Sequence, residues 1–383
     1  MHALTAARGT LVPLTSGGDS MTSTSIRRPR TTGVRVLGLL GALALGLTAA
    51  CSSADPQQPP APVTEGPTID ADKQPVPTPS VAATWPLTGV PVEGEPVNRP
   101  AIGVKVENTS AARPQTGLEE ADVVWETIVE FQVSRFVAVY HSQVPDSVGP
   151  IRSVRPVDPT ILAPLDAMLA FSGGQPGIVQ VAKDAGLQLL SNDAGVKGMS
   201  RSSARPAPHN VYGDMETLWS LADADHQDSP QEQFGFARSA DQATAVVSGS
   251  PATTLAFRLS AASSPSWTWD AGSGTWLRSE GSAPAVAASG ERLSAVNVVS
   301  IVAEHPDTKF KAQGGTLVPT YKLKTEGEGT LATGGKTIPV VWKKADPQDA
   351  MRLYLPDGTE ALLAPGNTWV ELVPKGSGSL TIS

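Results

Sequence analysis

Three apolar, β-branched segments follow one another in the first half of the chain: AIGVKV (residues 101–106), DVVWETIVE (122–130) and RFVAVY (135–140). Valine and isoleucine at this density are typical of buried core strands. A short polar link separates the second segment from the third, so we predict that these two strands are antiparallel neighbours. The stretch therefore predicts a β-sheet at the core of a first domain.

Helices are predicted downstream of these strands. Apolar residues recur at helical spacing in three segments: Pro159–Leu165, Val179–Leu190 and Asp214–Ala224. Asp214 is a suitable N-cap for the last of them. We expect residues 85–230 to form the first domain and residues 231–250 to form a linker, in which the segment 233–245 predicts one more helix.

The last third of the chain, residues 251–383, predicts a mostly β domain. The sequence SWTWDAGSGTWLR (266–278) predicts a hairpin, because Asp and Gly occupy its turn and aromatic residues alternate on either side. Further strands are predicted at Val296–Ala303, Thr316–Leu323, Thr337–Trp342, Arg352–Leu355 and Thr368–Val373. Five of the eight tryptophans lie here, and we expect them to pack the core rather than to form a sugar-binding surface.

Size and element order together predict the fold class. Removing the first 50 of 383 residues leaves 333, which is enough for two domains of roughly 150 residues each. We predict an α+β fold in which a layered first domain of mixed sheet and helices is followed by a smaller, mostly β second domain.

Residues 1–50 have the character of an export signal. Basic residues from Arg27 onward precede an apolar run, Val34–Ala50, that is too short and too rich in Gly and Ala for a comfortable membrane span. The run ends in LTAAC, which resembles the bacterial lipobox and implies diacylation of Cys51. An ordinary secretory peptide and an uncleaved anchor are the alternatives. Translation could start at Met21, because residues 1–20 carry no export character.

The residues after the signal predict a tethered protein outside the cytoplasm. Cys51 is the only cysteine, so the chain has no internal disulfide and must be stabilised by its core. Residues 51–84 are rich in Pro, Gln and Thr and predict a disordered tether from the lipid anchor in the cell membrane. The formal net charge is −8, with no long basic run beyond the signal, which argues against a nucleic-acid partner.

Short motifs recur throughout the predicted folded region. In the first domain they are RPAIGV (99–104), EN (107–108), ARPQTGL (112–118), ADVVWE (121–126), RF (135–136), GPIRSVRP (149–156) and PHNVY (208–212). In the second they are WD (269–270), WLR (276–278), NVV (297–299), WK (342–343) and PGNTW (365–369). Together they resemble the YerB-like lipoprotein family, a family of unknown function. The resemblance implies a layered α+β fold and an anchored envelope protein, and it implies no reaction. Tryptophan replaces the tyrosine expected in the hairpin, which argues against a role for a phenolic hydroxyl.

Patterns of known enzymes are missing from the sequence. It contains no phosphate-binding loop, no G-x-S-x-G elbow and no H-E-x-x-H motif. The five histidines form no close pair, so we predict neither a metal site nor a cofactor. A cysteine nucleophile is excluded if Cys51 carries the lipid.

Clustered arginines beside turns suggest an anion-binding site. The candidates are Arg113, Arg152, Arg155, His209 and Asn210. Arginine binds carboxylate or phosphate through two parallel hydrogen bonds, and Pro-containing segments would hold these loops in defined turns. The alternative is that each arginine pairs with an acid of the protein, such as Glu107 or Glu130.

Acidic residues on one strand raise an enzymatic alternative. Asp122 and Glu126 alternate on one face with Glu130, and a glycosidase needs two carboxyl groups beside the bond that it cleaves. Even-spaced acids on a strand also occur at ordinary solvent or interface faces. We therefore prefer a non-catalytic module that binds an anionic envelope ligand or a protein partner. A hydrolase or transferase acting on cell-wall polymers is the alternative.

Overall fold

A computed structural model describes residues 83–383, so the predicted signal, Cys51 and nearly all of the tether lie outside the described residues. The fold is mostly β-sheet, with 38% strand and 14% helix. The predicted α+β class therefore holds only loosely, because the helices are few and short. Among the helices of residues 83–383, none has the length and apolar character needed to cross a bilayer.

Strands occur along the whole described chain. The first seven are β1 (Ile102–Glu107), β2 (Val123–Ile128), β3 (Ser134–Tyr140), β4 (Met168–Phe171), β5 (Gln188–Ser191), β6 (Met199–Arg201) and β7 (Val211–Gly213). The next seven are β8 (Ser250–Pro251), β9 (Thr254–Arg258), β10 (Pro265–Asp270), β11 (Thr275–Glu280), β12 (Ala283–Pro284), β13 (Ser294–Ala295) and β14 (Asn297–Ala303). The last seven are β15 (Asp307–Lys311), β16 (Leu317–Pro319), β17 (Thr325–Thr333), β18 (Lys336–Lys344), β19 (Arg352–Tyr354), β20 (Thr368–Pro374) and β21 (Ser379–Ile382).

The α-helices of residues 83–383 are short. They are α1 (Asp158–Leu162), α2 (Pro176–Asp184), α3 (Met215–Trp219) and α4 (Thr244–Ser248). Single 3₁₀ turns occur at Leu118–Glu120, Glu130–Gln132, Ala163–Leu165, Asn192–Ala194, Ala240–Gln242 and Gln313–Gly315. Asp214 caps α3 as predicted, because its carboxylate accepts a hydrogen bond from the Thr217 amide at 2.7 Å.

A mixed sheet of eleven strands forms the centre of the molecule, in the order β19-β18-β17-β14-β20-β2-β3-β1-β4-β5, with β8 beside β18. Every residue of β1, β2 and β3 is buried, because these strands are covered on both faces. β2 and β3 are antiparallel neighbours, as the short link between them predicted.

Strand β20 connects the two predicted regions within this sheet. It lies parallel between β14 and β2, so that Thr368 is opposite both Asn297 and Val123. Residues 83–383 belong to one compact unit. The linker predicted at 231–250 therefore separates segments that contribute strands to the same sheet.

A second sheet of six strands packs against the large one, in the order β12-β11-β10-β9-β21, with β13 beside β11. Its centre is the predicted hairpin, β10–β11, in which Trp269 is opposite Trp276. Trp267 and Trp276 are fully buried. The rings of Trp267 and of Trp369 in β20 form an edge-to-face contact, with their centroids 5.2 Å apart. Aromatic packing of this kind joins the two sheets.

Three predicted helices are partly wrong. The predicted helix 214–224 ends at Trp219, the last residue of α3. The predicted helix 179–190 ends early, because Gly186 adopts a left-handed backbone (φ +85°) after α2, and the following residues pair with β4 as strand β5. Residues 233–239 are not helical either. Phe234 is buried against Trp125, and the chain runs extended beside Leu363.

Strand β17 was not predicted, because its sequence TEGEGTLAT is polar and contains two glycines. Tertiary contacts explain both glycines. A side chain at Gly327 would collide with the Trp342 indole, and one at Gly329 would collide with the Ser300 carbonyl.

Replacing Trp369 with alanine should destabilise the protein by about 3–5 kcal/mol, because the indole is 2% exposed and contacts Phe136 and Trp267. Urea denaturation measures the loss. Phe131→Ala is the matched control, because Phe131 is 61% exposed and its truncation should change stability by less than about 0.5 kcal/mol. A loss below about 1 kcal/mol for Trp369→Ala would contradict a core role.

Candidate functional site

Arg152, Arg155 and His209 line one cavity of about 520 Å³. The other charged residues that line it are Arg135, Glu107 and Glu130. The cavity is also lined by Ala312 and Gln313, in the turn between β15 and β16, and by Val318 of β16. This volume lies within the range of about 300–1,000 Å³ that is typical of small-molecule sites. We call this site the arginine cavity.

Backbone hydrogen bonds to β1 hold the loop that carries the two predicted arginines. The Glu107 amide donates to the Pro150 carbonyl at 2.9 Å, and the Arg152 amide donates to the Lys105 carbonyl at 2.7 Å. The loop therefore continues the pairing of the sheet for a few residues. As a result, Arg152 lies beside Glu107, the last residue of β1.

Glu107 is shared between an arginine and a histidine. Its carboxylate lies 3.2 Å from Arg152 Nε and 2.9 Å from His209 Nδ1. Thr109 Oγ1 also donates to it at 2.8 Å. The histidine is positioned by its own turn, which closes where the His209 amide donates to the Pro206 carbonyl. One buried acid thus holds both loops of the cavity.

Glu130 binds the other two arginines. Arg155 donates to both of its carboxylate oxygens, through Nε at 2.7 Å and through Nη2. Arg135 Nη2 lies 3.8 Å from the same group. Burial alone would raise the pKa of Glu130, but the hydrogen bonds and charge of Arg155, helped by Arg135, outweigh burial and lower it.

A buried lysine lies behind the arginines. Lys105 Nζ donates to Asp158 at 2.7 Å and to Thr127 at 3.1 Å, and neither charged side chain is exposed. Burial lowers the pKa of Lys105 to about 8, although Asp158 partly opposes the shift, and the nearby Arg135 and Arg155 add to it. Lys105 thus adds one more positive charge close to Arg135 and Arg155, although it does not line the arginine cavity itself.

Positive charge exceeds negative charge around the cavity. The four fixed cations are Lys105, Arg135, Arg152 and Arg155, and the three carboxylates that face them are Glu107, Glu130 and Asp158. Four minus three leaves one unmatched positive charge before His209 is counted. Consistent with this excess, burial and then the charge of Arg155 lower the pKa of Arg135 to about 9.

Arg152 and His209 are the residues best placed to meet a ligand. Their side chains are 21% and 25% exposed, whereas Glu107 between them is 2% exposed. The Arg152 guanidinium makes no hydrogen bond of good geometry to any residue in 83–383, despite its short ion-pair distance. Donors on Arg152 therefore remain available to an anion in the cavity, and His209 can donate to one from Nε2 when its ring is protonated.

The other predicted anion-binding residues lie elsewhere. Arg113 pairs with Glu280 at 3.2 Å, beside a separate cavity against the second sheet. Asn210 is buried, and its side chain bonds to Arg201 at 2.9 Å and to the Ser202 carbonyl at 2.9 Å. Asn210 therefore supports its loop and does not line the arginine cavity.

The two candidate acids do not meet at a shared site. Asp122 is 2% exposed and accepts hydrogen bonds from the backbone of His141 and from both the amide and the hydroxyl of Ser142. Burial raises its pKa in spite of these bonds. Glu126 is fully buried between the two sheets, where it accepts hydrogen bonds from Arg278 at 2.7 Å and Ser263 at 3.2 Å. Neither carboxyl lines the arginine cavity.

Arg278 forms a buried charge cluster that we did not predict. Its guanidinium has no exposed surface and donates to Glu126, Glu371 and Glu280 at 2.7–2.8 Å. The sequence signal was present, because Arg278 lies at an inward-facing position beside Trp276, and Glu371 interrupts an apolar strand.

Burial favours the protonated form of Glu371 in this cluster. Glu126 and Glu371 are opposite each other on adjacent strands, and burial and then the charge of Glu126 raise the pKa of Glu371 well above its usual range. Trp267 Nε1 donates to Glu371 Oε1 at 2.9 Å, and Oε2 receives no donor from residues 83–383. A proton on Glu371 lets this carboxyl donate to Glu126.

No group of three or more His, Cys, Asp and Glu side chains in residues 83–383 is arranged to hold a metal ion.

Replacing Glu371 with glutamine should leave stability nearly unchanged at pH 5. The wild-type protein should then lose stability relative to the variant as pH rises to 8. The reason is that the unfolded carboxyl, with its ordinary pKa of 4.5, releases a proton that the folded one retains. The difference grows by at most about 1.4 kcal/mol per pH unit, and urea denaturation at the two pH values measures it.

Glu126→Gln is the contrasting variant, because it removes the carboxylate that faces Arg278. It should destabilise the protein by about 3–5 kcal/mol at both pH values. Equal losses for Glu371→Gln and Glu126→Gln at pH 5 would contradict a protonated Glu371.

Two family models match the chain in order. The N-terminal domain of DUF3048, described as a protein of unknown function, matches residues 87–228. The DUF3048 C-terminal domain matches residues 255–370.

Comparison with known proteins shows that this chain is similar to YerB from Bacillus subtilis, both in sequence and in structure. "Putative lipoprotein YerB" from Bacillus subtilis (strain 168) is 25% identical over 310 residues, which cover 79% of this chain and 89% of the relative. The crystal structure of the YerB protein from Bacillus subtilis has a TM-score of 0.66 and 23% identity, and the match covers 79% of this chain and 100% of the solved one. The chain therefore belongs to the DUF3048 family of proteins of unknown function and is a homologue of YerB.

Proposed function

We propose that this protein is a lipid-anchored, extracytoplasmic envelope protein that binds an anionic group in the arginine cavity without cleaving it. One observation carries the proposal: Arg152 and His209 are exposed to a cavity in which cations outnumber carboxylates. An unmatched positive charge in a partly buried site is unfavourable, and a bound anion would neutralise it.

The arrangement of donors supports phosphate or carboxylate as the bound group. Arginine presents a planar fork of N–H donors that matches the oxygens of either anion, and hydrogen bonds between charged groups are the stronger ones. Arg152 belongs to the loop between β3 and α1, His209 belongs to the loop between β6 and β7, and Arg135 belongs to β3. Donors from three parts of the fold thus converge on one space.

Recognition fits the cavity better than hydrolysis does. Its two carboxylates, Glu107 and Glu130, are 2% and 5% exposed and are both paired with cations. A general acid or base needs a carboxyl group that reaches the substrate and changes its protonation near neutral pH. Pairing with Arg155 lowers the pKa of Glu130 and favours its ionised form, and both carboxylates position the cations around them. The hydrolase or transferase alternative has no comparable support.

Anchoring at Cys51 is part of the proposal. The lipobox-like end of the signal motivates it, and the homologous YerB carries the name of a putative lipoprotein. Residues 51–84 would then let the folded region stand some distance from the outer face of the cell membrane. A binding module in this position would meet ligands of the envelope.

Arg152→Ala should reduce the affinity for inorganic phosphate about tenfold or more, because it removes charge-assisted hydrogen bonds worth about 1.5–3 kcal/mol. Isothermal titration calorimetry measures the affinity. The variant should also lose some stability, because Arg152 pairs with the buried carboxylate of Glu107, so melting curves must first show that it is folded at the temperature of the titration.

Arg113→Ala is the control, since Arg113 is also an ion-paired arginine but lies outside the cavity, with 34% of its side chain exposed against 21% for Arg152. It should leave the affinity for phosphate unchanged. The proposal fails if neither phosphate nor acetate binds the wild-type protein, or if both variants lose affinity equally.

Cys51→Ala should abolish acylation and release the protein from the membrane fraction or leave its signal uncleaved, because the thiol is the acceptor of the lipid. Mass spectrometry of the mature N-terminus and cell fractionation test this. A wild-type protein without acyl chains would contradict anchoring at this residue.

A further inference from the structure

A second cavity, of about 380 Å³, adjoins the arginine cavity. The two share Glu130 and Phe131, so the turn that carries these residues separates them. The second cavity is lined by hydrogen-bonding side chains, among them Ser260, Asp307 and His305, and by apolar residues of β16. A ligand held in the first cavity would reach the second by passing over Phe131.

Phe131 is an unusual residue for such a position. It is 61% exposed, and it is the only aromatic among the large hydrophobic side chains of residues 83–383 that are exposed. Its backbone is left-handed (φ +62°), and so is that of Gln132 (φ +62°). Two consecutive non-glycine residues in this region strain the backbone, and strain of this kind clusters at functional sites.

The loop between β9 and β10 of the second sheet holds this turn in place. Ser260 Oγ donates to the Gln132 carbonyl at 2.6 Å, and the Ala261 amide donates to Gln132 Oε1 at 3.1 Å. The Val129 amide closes the turn by donating to the Val133 carbonyl at 2.9 Å. These bonds stabilise the strained conformation and leave the Phe131 ring exposed at the boundary of the two cavities.

From these contacts, and resting on the proposed function above, we propose that the ligand is a phosphorylated saccharide. Its phosphate lies in the arginine cavity, its sugar ring packs on the Phe131 ring, and its hydroxyls extend into the second cavity. A sugar ring has an apolar C–H face that suits an aromatic surface and a polar rim that suits hydrogen-bonding side chains. The Phe131 ring provides the aromatic surface, and the second cavity provides the hydrogen-bonding side chains.

The charges of the two cavities fit a ligand that is anionic at one end. Arg135 and Arg152 line the arginine cavity from β3 and from the loop between β3 and α1, and two guanidinium groups offer enough donors for the three free oxygens of a phosphate monoester. The second cavity is lined by one carboxylate, Asp307, and one guanidinium, Arg258, so its formal charges balance. Hydroxyls of a saccharide can donate to the carboxylate and accept from the guanidinium.

Calorimetric titration of the full chain with three probes tests the proposal: inorganic phosphate, glycerol 1-phosphate and glucose 1-phosphate. Glucose 1-phosphate should bind about tenfold more tightly than the other two, because ring contact with an aromatic side chain is worth about one order of magnitude in affinity. Phe131→Ala should remove this advantage and leave the affinity for phosphate unchanged. Phe131→Tyr should retain it. Arg152→Ala should weaken binding of all three probes.

The outcomes separate this inference from the proposed function. If glucose 1-phosphate binds no more tightly than phosphate, or if Phe131→Ala leaves the difference intact, the saccharide proposal is overturned and the anion site stands. If no probe binds the wild-type protein, both are overturned. Melting curves of the Phe131 variants confirm that they are folded, and their exposed position predicts melting close to that of the wild type.

Discussion

The guanidinium of Arg278 lies between the two sheets without exposed surface, and the fold depends on how its charge is balanced. A buried guanidinium is strongly unfavourable unless acids surround it. Glu126 and Glu371, on neighbouring strands of the large sheet, supply that balance, and a proton on Glu371 allows the two carboxyls to lie side by side. Because Arg278 belongs to the second sheet and both acids belong to the large one, the cluster is part of the contact between the sheets.

The candidate site inherits its geometry from this docking. Strand β2, which carries Glu126, continues into the turn that presents Glu130 and Phe131. The same turn is bonded to Ser260 and Ala261, just before the hairpin that carries Arg278. The arginine cavity and its neighbour therefore form where the two halves of the chain meet. Their walls are as rigid as the packing that joins the sheets.

Local patterns predicted the elements whose signals are strong. The strands β1, β2 and β3, the hairpin β10–β11 and the cap of α3 all follow from apolar density, turn residues or capping chemistry. The residues around 188–190 and 233–239 could not be assigned in this way, because short apolar runs suit either helix or strand until a neighbouring strand is known. Strand β17 lacked any local signal, since its glycines are explained by contacts with distant segments.

By itself, the sequence determined the family and the core strands, and it predicted an export signal that ends at Cys51 and a group of clustered arginines. The tertiary structure decided which charges meet. It brought Arg152, Arg155 and His209 to one cavity, directed Arg113 and Asn210 elsewhere, and buried Glu126 against Arg278. The physical reason is that hydrophobic periodicity is a local property of the chain, whereas the pairing of charges depends on strand order and sheet docking between residues more than a hundred positions apart.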